Sequence, residues 1–225
     1  MIIAIDGPAG AGKSTVAREV ARALGFAYIN TGAMYRAVAL EARARHLDFQ
    51  SDESAIAEIG RTLPMRFGAG GTRLFVGERD VSEAIVAPEM GEAASKVAAL
   101  PSLRTEVVAR QREMGEIAAR DCGGAVLEGR DIQTVVFPDA SLKVFLTATD
   151  EARAQRRIDQ WQQKGESFDA GRALLDVRER DARDASRDTS PLRPAEDAVY
   201  LLSDELTAGQ VIEHIVALAH ERMAP

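Results

Sequence analysis

A glycine-rich loop between a short apolar run and a helical pattern is the feature that most constrains this fold. Residues 1–5 are apolar and long enough for one buried strand. The pattern G-x-x-x-x-G-K-[S/T] follows, with its defined positions filled by Gly7, Gly12, Lys13 and Ser14. Glycines let backbone N–H groups turn inward around a phosphate, and a helix N-terminus adds unpaired donors. The loop therefore predicts a triphosphate site, with Lys13 on the outer phosphates and Ser14 on Mg²⁺.

The rest of the chain predicts a parallel sheet covered by helices. Strand-length apolar runs alternate with helical patterns, which is the order of βα units in a parallel sheet. We predict five core strands, at residues 1–5, 26–29, 125–127, 142–146 and 198–202. The fold class is thus α/β, a P-loop NTPase-type open parallel five-stranded sheet flanked by helices.

Residues 46–100 interrupt this order. Short alternating segments at 65–67 and 74–76 lie around glycine turns, which indicates a small antiparallel hairpin or meander inserted into the core. A helix at 83–99 is predicted to be interrupted near Pro88. A long helix then begins at 101–102, with Ser102 as its expected N-cap. Further helices are predicted from about Ala33 to Arg45, at 149–163 and from 167 to about 188, and a capping-box pattern at 207–210 is predicted to open the last helix.

Composition limits the classes of partner. The 225 residues carry a net charge of −7, which argues against a nucleic-acid or membrane-surface binder. The basic residues are nearly all arginine, whose planar fork suits phosphate oxygens, so a small anionic substrate is indicated. The one cysteine, Cys122, excludes an intrachain disulfide, and no secretory signal or membrane span is expected. We expect a cytoplasmic monomer.

Two charged groups stand out after the loop. Glu128-Gly129-Arg130-Asp131 follows the third core strand, so Arg130 is delivered to the same sheet edge as the loop. In residues 179–187, helical spacing puts one carboxylate and three arginines on one face: Arg180, Arg183, Asp184 and Arg187. Each group by itself could be a surface ion pair or a solvated charge ladder. A phosphate-binding loop in the same chain favours a phosphoryl-transfer enzyme, which must neutralise two anionic partners.

The ordered motifs resemble those of the bacterial cytidylate kinase family. They span nearly the whole chain: I-D-G-P-A-G-A-G-K-S-T at 5–15, T-G-A-M-Y-R at 31–36, A-S-K-V-A at 94–98, E-G-R-D-I at 128–132, T-V-V-F-P-D-A at 134–140, and E-R-D-x-R-D-x-x-R at 179–187. The resemblance implies transfer of the γ-phosphate of ATP to CMP or dCMP, in pyrimidine nucleotide metabolism, with Mg²⁺. It implies a core of residues 1–45, 101–148 and 192–225, a nucleoside-monophosphate-binding insert at 46–100 and a helical lid at 149–191.

The same resemblance implies the site residues. The ATP phosphates are assigned to Gly7, Pro8, Ala9, Gly10, Ala11, Gly12, Lys13, Ser14 and Thr15. The CMP phosphate is assigned to Thr31, Arg36, Arg130 and Arg187, the cytosine edge to Ser95, Arg104 and Asp131, and the ribose to Arg180 and Asp184. Lys13, Arg130 and Arg187 are the implied catalytic residues. A carboxylate with Arg and Ser is a suitable complement for the donors and acceptors of cytosine.

Two positions depart from the family pattern. Gln133 stands in the second glycine position of Gly-Arg-Asp-x-Gly-Thr, which affects any close approach of backbone to substrate there. Glu128 stands where Asp is frequent, and so affects any carboxylate contact near Mg²⁺. Two other functions stay open on the residues alone. They are a small-metabolite kinase, of the shikimate or dephospho-CoA type, and a regulatory ATPase without an acceptor.

Overall fold

The computed structural model describes residues 1–163 and 170–223. In chain order the elements are β1 (Ile2–Asp6), α1 (Lys13–Leu24), β2 (Ala27–Asn30), α2 (Thr31–Ala44), α3 (Glu53–Thr62), β3 (Met65–Phe67), β4 (Leu74–Val76), β5 (Arg79–Asp80), α4 (Pro88–Val97), α5 (Pro101–Asp121), β6 (Ala125–Gly129), β7 (Leu142–Thr147), α6 (Asp150–Gln163), α7 (Ala170–Ala185), β8 (Val199–Leu202) and α8 (Ala208–Met223). Short 3₁₀ turns occupy Ala69–Gly71 and Ala84–Val86, and one π-helical turn spans Ile132–Val136. None of the described helices is long and apolar enough to cross a membrane.

The main sheet has five strands in the order β2-β6-β1-β7-β8, and every neighbouring pair is parallel. This confirms the predicted parallel sheet. Its register pairs Asp6 at the end of β1 with Gly129 at the end of β6. The glycine loop and the segment that begins at Arg130 therefore leave adjacent strands at the same edge, where open α/β sheets bind ligands.

Helices close both faces of the sheet. Val16 and Val20 of α1 are buried with Ile215 of α8 and with Ile3 and Ile5 of β1. Each such side chain contributes about 1.5–3 kcal/mol when it is fully removed from water. The burial of these side chains fixes β1 and α1, which flank the glycine loop, and so holds both ends of the loop in place.

The insert is a three-stranded antiparallel sheet, β3-β4-β5, with two flanking helices. Met65 pairs with Val76 and Phe75 with Asp80, as the alternating pattern around glycine turns predicts. Its helices α3 and α4 share one buried cluster with α2 and α5, which includes Met34 and Leu103. The insert therefore packs directly on the helices that carry the predicted acceptor residues.

One of two predictions about helix ends is wrong. The helical stretch predicted at 83–99 is interrupted near Pro88, as expected: a 3₁₀ turn ends at Val86, and Pro88 begins α4, where a missing N–H costs nothing. Ser102 is not the N-cap of α5, since the cap residue is Leu100. Instead Ser102 lies in the first turn, and both its N–H and its hydroxyl donate to Glu53 Oε1, at 3.1 and 2.6 Å. A carboxylate from α3 thus satisfies the helix start, which local sequence does not reveal.

The remaining helix predictions differ at their limits. The helix predicted from Ala33 begins at Thr31, because the Asn30 side chain caps it by accepting from Ala33 N–H at 3.0 Å. Residues 164–169, where one helix was expected to end and the next to begin, lie outside the described residues. The predicted capping box before α8 is confirmed, since Gln210 Oε1 accepts from Thr207 N–H at 2.9 Å.

Candidate active site

A cleft of about 240 Å³ opens at the carboxyl ends of β1 and β6. All nine residues predicted to hold the acceptor nucleotide line it: Thr31, Arg36, Ser95, Arg104, Arg130, Asp131, Arg180, Asp184 and Arg187. Six of the predicted ATP residues line it as well: Ala9, Gly10, Gly12, Lys13, Ser14 and Thr15. The structure therefore brings the donor loop and the predicted acceptor residues into one space. The loop residues Gly7, Pro8 and Ala11 do not line the cleft.

The glycine loop has a backbone conformation that a residue with a side chain could not adopt at Gly7. Gly7 has φ +151°, and a Cβ there would lie 1.9 Å from Leu146 O of the neighbouring strand. Lys13 is 6% exposed, and its ammonium donates to Pro8 O at 2.7 Å. Burial, and then the charge of Arg130, hold the pKa of Lys13 well below its ordinary value. A cation held this way is stabilised by any phosphate that enters the loop.

Asp184 joins three of the predicted acceptor residues. Its carboxylate accepts from Arg130 Nε at 2.9 Å, from Ser95 Oγ at 3.3 Å and from Arg187 Nη2. Burial opposes ionisation, but Arg130, Arg187 and Arg180 outweigh it and hold the pKa of Asp184 below its ordinary value. Asp184 thus acts as an internal anion for the arginines of the cleft.

A second pair, Arg104 and Asp131, lies beside Tyr35. Arg104 Nη2 donates to Asp131 Oδ2, and Arg104 Nη1 donates to Ala98 O at 2.9 Å. The guanidinium lies 5.6 Å from the centre of the Tyr35 ring. Both charged side chains are less than a tenth exposed. A planar, buried Arg–carboxylate pair against an aromatic ring presents fixed donors and acceptors to a flat ligand.

The cleft carries more positive charge than its own carboxylates offset. Seven basic and three acidic side chains line it, although the whole chain has a net charge of −7. The Nε groups of Arg180 and Arg187 are buried without a hydrogen-bond partner. Burial, followed by repulsion from Arg130, lowers the pKa of Arg180 to about 9. Buried donors of this kind fit an anionic ligand.

Residues for a bound cation are sparse. Ser14 is exposed at the start of α1, and the Glu128 carboxylate also lines the cleft. No group of three or more His, Cys, Asp or Glu side chains that could hold a metal occurs in the described part of the chain. Mg²⁺ commonly keeps several waters and binds through one or two protein ligands and substrate phosphates. The residues present fit a metal that is carried mainly by a nucleotide.

Comparison with known proteins agrees with this geometry. A family profile described as cytidylate kinase matches residues 3–221. A cytidylate kinase from Enterobacter sp. (strain 638) is 44% identical over 225 residues, covering 99% of this chain and 96% of that protein. One from Chromobacterium violaceum is 43% identical over 223 residues, covering 99% and 97%. The chain belongs to the cytidylate kinase family.

The fold of this cytidylate kinase family member also occurs in distant proteins. A crystal structure of an uncharacterized protein from Eubacterium ventriosum is similar, with a TM-score of 0.53 and 12% identity over 98% of each chain. At that identity the likeness concerns the fold alone.

The departure from the cytidylate kinase pattern at Gln133 lies outside the cleft. Its side chain is 1% exposed and does not line the cleft. Its N–H donates to Asp6 Oδ2 at 2.8 Å, and its Oε1 accepts from Ala195 N–H at 3.1 Å. Gln133 therefore joins the end of β1 to the chain after α7, and its side chain leaves the substrate space free.

At the second departure, the Glu128 side chain has a hydrogen-bond partner that the sequence analysis did not single out. Tyr28 on β2 donates its hydroxyl to Glu128 Oε1 at 2.6 Å. Burial, and then the adjacent carboxylate, raise the pKa of Tyr28. The Glu128 main-chain oxygen accepts from Thr31 Oγ1 at 2.6 Å. Thr31 must reorient its hydroxyl before it can donate to a phosphate.

Sequence reasoning also missed Arg157, which lines the cleft, and several residues that contact the cleft or the loop. Tyr35 lies in a matched motif, but only its place beside Arg104 reveals its contact. Arg153 of α6 and Asp181 of α7 contact the backbone of Ala9 in the glycine loop. Asp181 belongs to the matched charged motif, whereas nothing in the sequence of α6 distinguishes Arg153 from Arg156 and Arg157.

Proposed function

We propose that this protein transfers the γ-phosphate of ATP to CMP or dCMP, which gives ADP and CDP or dCDP. The observation that carries the proposal is that the glycine loop lies in the same cleft as the buried Arg104–Asp131 pair and a surplus of arginines. Membership of the cytidylate kinase family supports the choice of acceptor.

The donor side of the proposed reaction is the glycine loop. Backbone N–H groups of residues 10–15 and the N-terminus of α1 would hold the ATP phosphates. Lys13 would leave Pro8 O, which it now contacts at 2.7 Å, for the outer phosphates. Mg²⁺ would be bound by the phosphates and the Ser14 hydroxyl, where it would offset charge on the transferred group.

On the acceptor side, the Arg104–Asp131 pair would bind the base, and the arginines around Asp184 would bind the phosphate. Ser95, Arg104 and Asp131 would read the donor at N4 and the acceptors at N3 and O2 of cytosine. Arg36, Arg130 and Arg187 would hold the CMP phosphate, with Thr31 as a further donor. Arg180 and Asp184 would contact the ribose, which requires Asp184 to give up contacts with the arginines that it now binds.

The chemistry would need no protein nucleophile or general base. Positioning of the two phosphates in line and stabilisation of their charge dominate phosphoryl transfer. Arg130 and Arg187 would exchange the Asp184 carboxylate for phosphate oxygens, so that the cleft stays close to charge balance with substrate bound. Lys13 would approach the same group from the donor side.

An assay of ADP release tests the proposal against other acceptors. ATP and Mg²⁺ are supplied with CMP, dCMP, UMP, AMP, shikimate or no acceptor. We expect the highest kcat/KM with CMP or dCMP and little turnover without an acceptor. A preference for shikimate would favour a small-metabolite kinase, and turnover that no acceptor stimulates would favour an ATPase; either result contradicts the proposal.

A further inference from the structure

An ion pair between α6 and α7 brackets one residue of the glycine loop. Asp181 Oδ1 accepts from Ala9 N–H at 3.3 Å, and Arg153 Nη1 donates to Ala9 O at 2.9 Å. Arg153 Nη1 and Asp181 Oδ2 also bind each other. Both polar groups of the Ala9 backbone are therefore held from outside the cleft by one pair of opposite charges.

Arg153 is fixed independently of the loop. Its Nε donates to Ala148 O at 3.0 Å, and its Nη2 pairs with Asp150. The side chain is 5% exposed. Gly10 leaves room for it, because a Cβ at that position would lie 3.0 Å from Arg153 O and 3.1 Å from Arg153 Cβ. The loop and the start of α6 are in close contact over this stretch.

The geometry of the peptide unit gives these contacts a consequence inside the cleft. In a planar trans peptide the C=O and the N–H point in opposite directions. Arg153 binds the outward C=O of Ala9, so the N–H of Gly10 in the same peptide is directed the other way, and Gly10 lines the cleft. A cation on the C=O also polarises the peptide and strengthens the N–H as a donor.

The neighbouring peptide links Asp181 to Lys13. The Pro8 O accepts from Lys13 Nζ at 2.7 Å, and the N–H of the same peptide is that of Ala9, which donates to Asp181. The peptide thus lies between a cation and an anion whose charges align with its dipole. Arg156 repeats the contact of Arg153 at a longer distance, with Nη1 3.4 Å from Ala11 O.

We propose that Arg153 and Asp181 are positioning residues for the donor nucleotide, which hold the backbone of the glycine loop from behind so that its N–H groups face the ATP phosphates. The inference rests on the proposed function, because it takes the cleft's triphosphate to be ATP. Neither residue lines the cleft, so their effect on the nucleotide would pass through the loop backbone. Their effect belongs to the donor alone, since neither lines the space assigned to the acceptor.

The test compares the affinities for the two substrates in three variants of the full chain. Asp181→Asn keeps the shape of the side chain but removes its charge, and Arg153→Met removes the guanidinium. Arg178→Met is the matched control, because Arg178 is half-exposed on α7 and pairs with Asp150 and Glu151 without contacting the loop. Calorimetry gives the Kd of Mg²⁺–ATP and of CMP for each variant, and circular dichroism gives the folded fraction.

We expect both loop-contacting variants to bind ATP about tenfold to a hundredfold more weakly, as for the loss of a charged hydrogen-bond partner. The Kd of CMP should stay within about twofold, and Arg178→Met should match the wild type for both ligands. The double variant should lose less than the product of the single losses, because the residues act as one pair.

Unchanged ATP affinity in folded Asp181→Asn and Arg153→Met would overturn the inference, as would equal losses for ATP and CMP, which indicate general damage to the lid. Asp181→Asn decides the matter if Arg153→Met does not fold. The proposed function fails separately, when the wild type binds ATP but does not phosphorylate CMP. A selective loss of ATP affinity in the variants would then still support the positioning role.

Discussion

At the scale of single residues, the contacts of Asp184 explain how the cleft holds several arginines without a ligand. Arg130 and Arg187 both bind this carboxylate, which is 1% exposed. A buried charge that loses its only partner destabilises a protein strongly, but Asp184 keeps one arginine when either Arg130 or Arg187 is replaced. The arginines of the cleft can therefore be changed singly.

Replacing Arg130 or Arg187 by Met should lower turnover by about a hundredfold or more while the protein stays folded. Each change leaves phosphate charge uncompensated in the transition state, but the other arginine remains on Asp184. The measurement is kcat with ATP and CMP, accompanied by thermal unfolding. Wild-type turnover in both variants would refute their catalytic roles.

The burial of Asp6 gives a second prediction for a single residue, which concerns how stability depends on pH. Asp6 is fully buried at the end of β1, and burial raises the pKa of Asp6 from 3.8 to about 6. The folded protein thus holds this proton more tightly than the unfolded chain. The stabilising contribution is complete below the unfolded pKa and is lost as the pH rises through about 6.

Asp6→Asn should remove this dependence, because the amide does not ionise and its oxygen can still accept from Gln133 N–H. Between about pH 4 and pH 7 the wild type should lose up to about 3 kcal/mol of unfolding free energy relative to the variant. Urea unfolding of both proteins across that range measures the difference. A difference that does not change with pH would show that Asp6 has an ordinary pKa.

The sequence predicted the cleft residues unevenly. Arg130 and Asp131 could be predicted because they follow a core strand directly. The charged residues at 179–187 could be predicted because their spacing is helical. Tyr28 with Glu128 and Arg153 with Ala9 are contacts across 100 and 144 residues of chain. Such pairs depend on how elements pack, and no local spacing marks them. The functional roles of the cleft residues stay predictions.

At the scale of elements, periodicity and turn residues predicted most strands and helices of the core. The error at Ser102 has a physical cause, since a helix start depends on the residues that satisfy its N–H groups. At the start of α5, the residue that accepts from a free N–H group is Glu53, which lies on α3. Local sequence shows a cap only when the cap is local.

The docking of the insert against the core gives a prediction at this scale. Gly71, in the turn between β3 and β4, has φ +68°, and a Cβ there would lie 2.1 Å from Tyr28 O of the edge strand β2. Gly71→Ala should therefore lower the unfolding free energy by about 3 kcal/mol or more, through left-handed backbone and the clash together.

Gly70→Ala is the matched control for the glycine prediction. Gly70 has φ +71°, and a Cβ there would meet no atom within 4 Å, so only the backbone cost of about 1 kcal/mol applies. Urea unfolding of the two variants separates the close contact from the backbone conformation. Equal losses would mean that the turn does not pack tightly on β2.

At the scale of the whole molecule, three parts of the chain meet at one edge of the sheet. The core supplies the glycine loop, Arg130 and, from α5, Arg104; α4 supplies Ser95, and α7 supplies Arg180 and Asp184. The order of motifs predicted this set of residues. It could not predict that Arg104 and Asp131, or Arg130 and Asp184, would pair, because those distances arise from the packing of separate helices.

The central claim is that the loop and the arginine cluster form the donor and acceptor halves of one phosphoryl-transfer site. The most direct test follows the γ-phosphate itself, with ATP labelled at that position, Mg²⁺ and CMP. We predict that the label appears in CDP, in proportion to the ADP formed. Label released as inorganic phosphate, with no labelled CDP, would contradict the account.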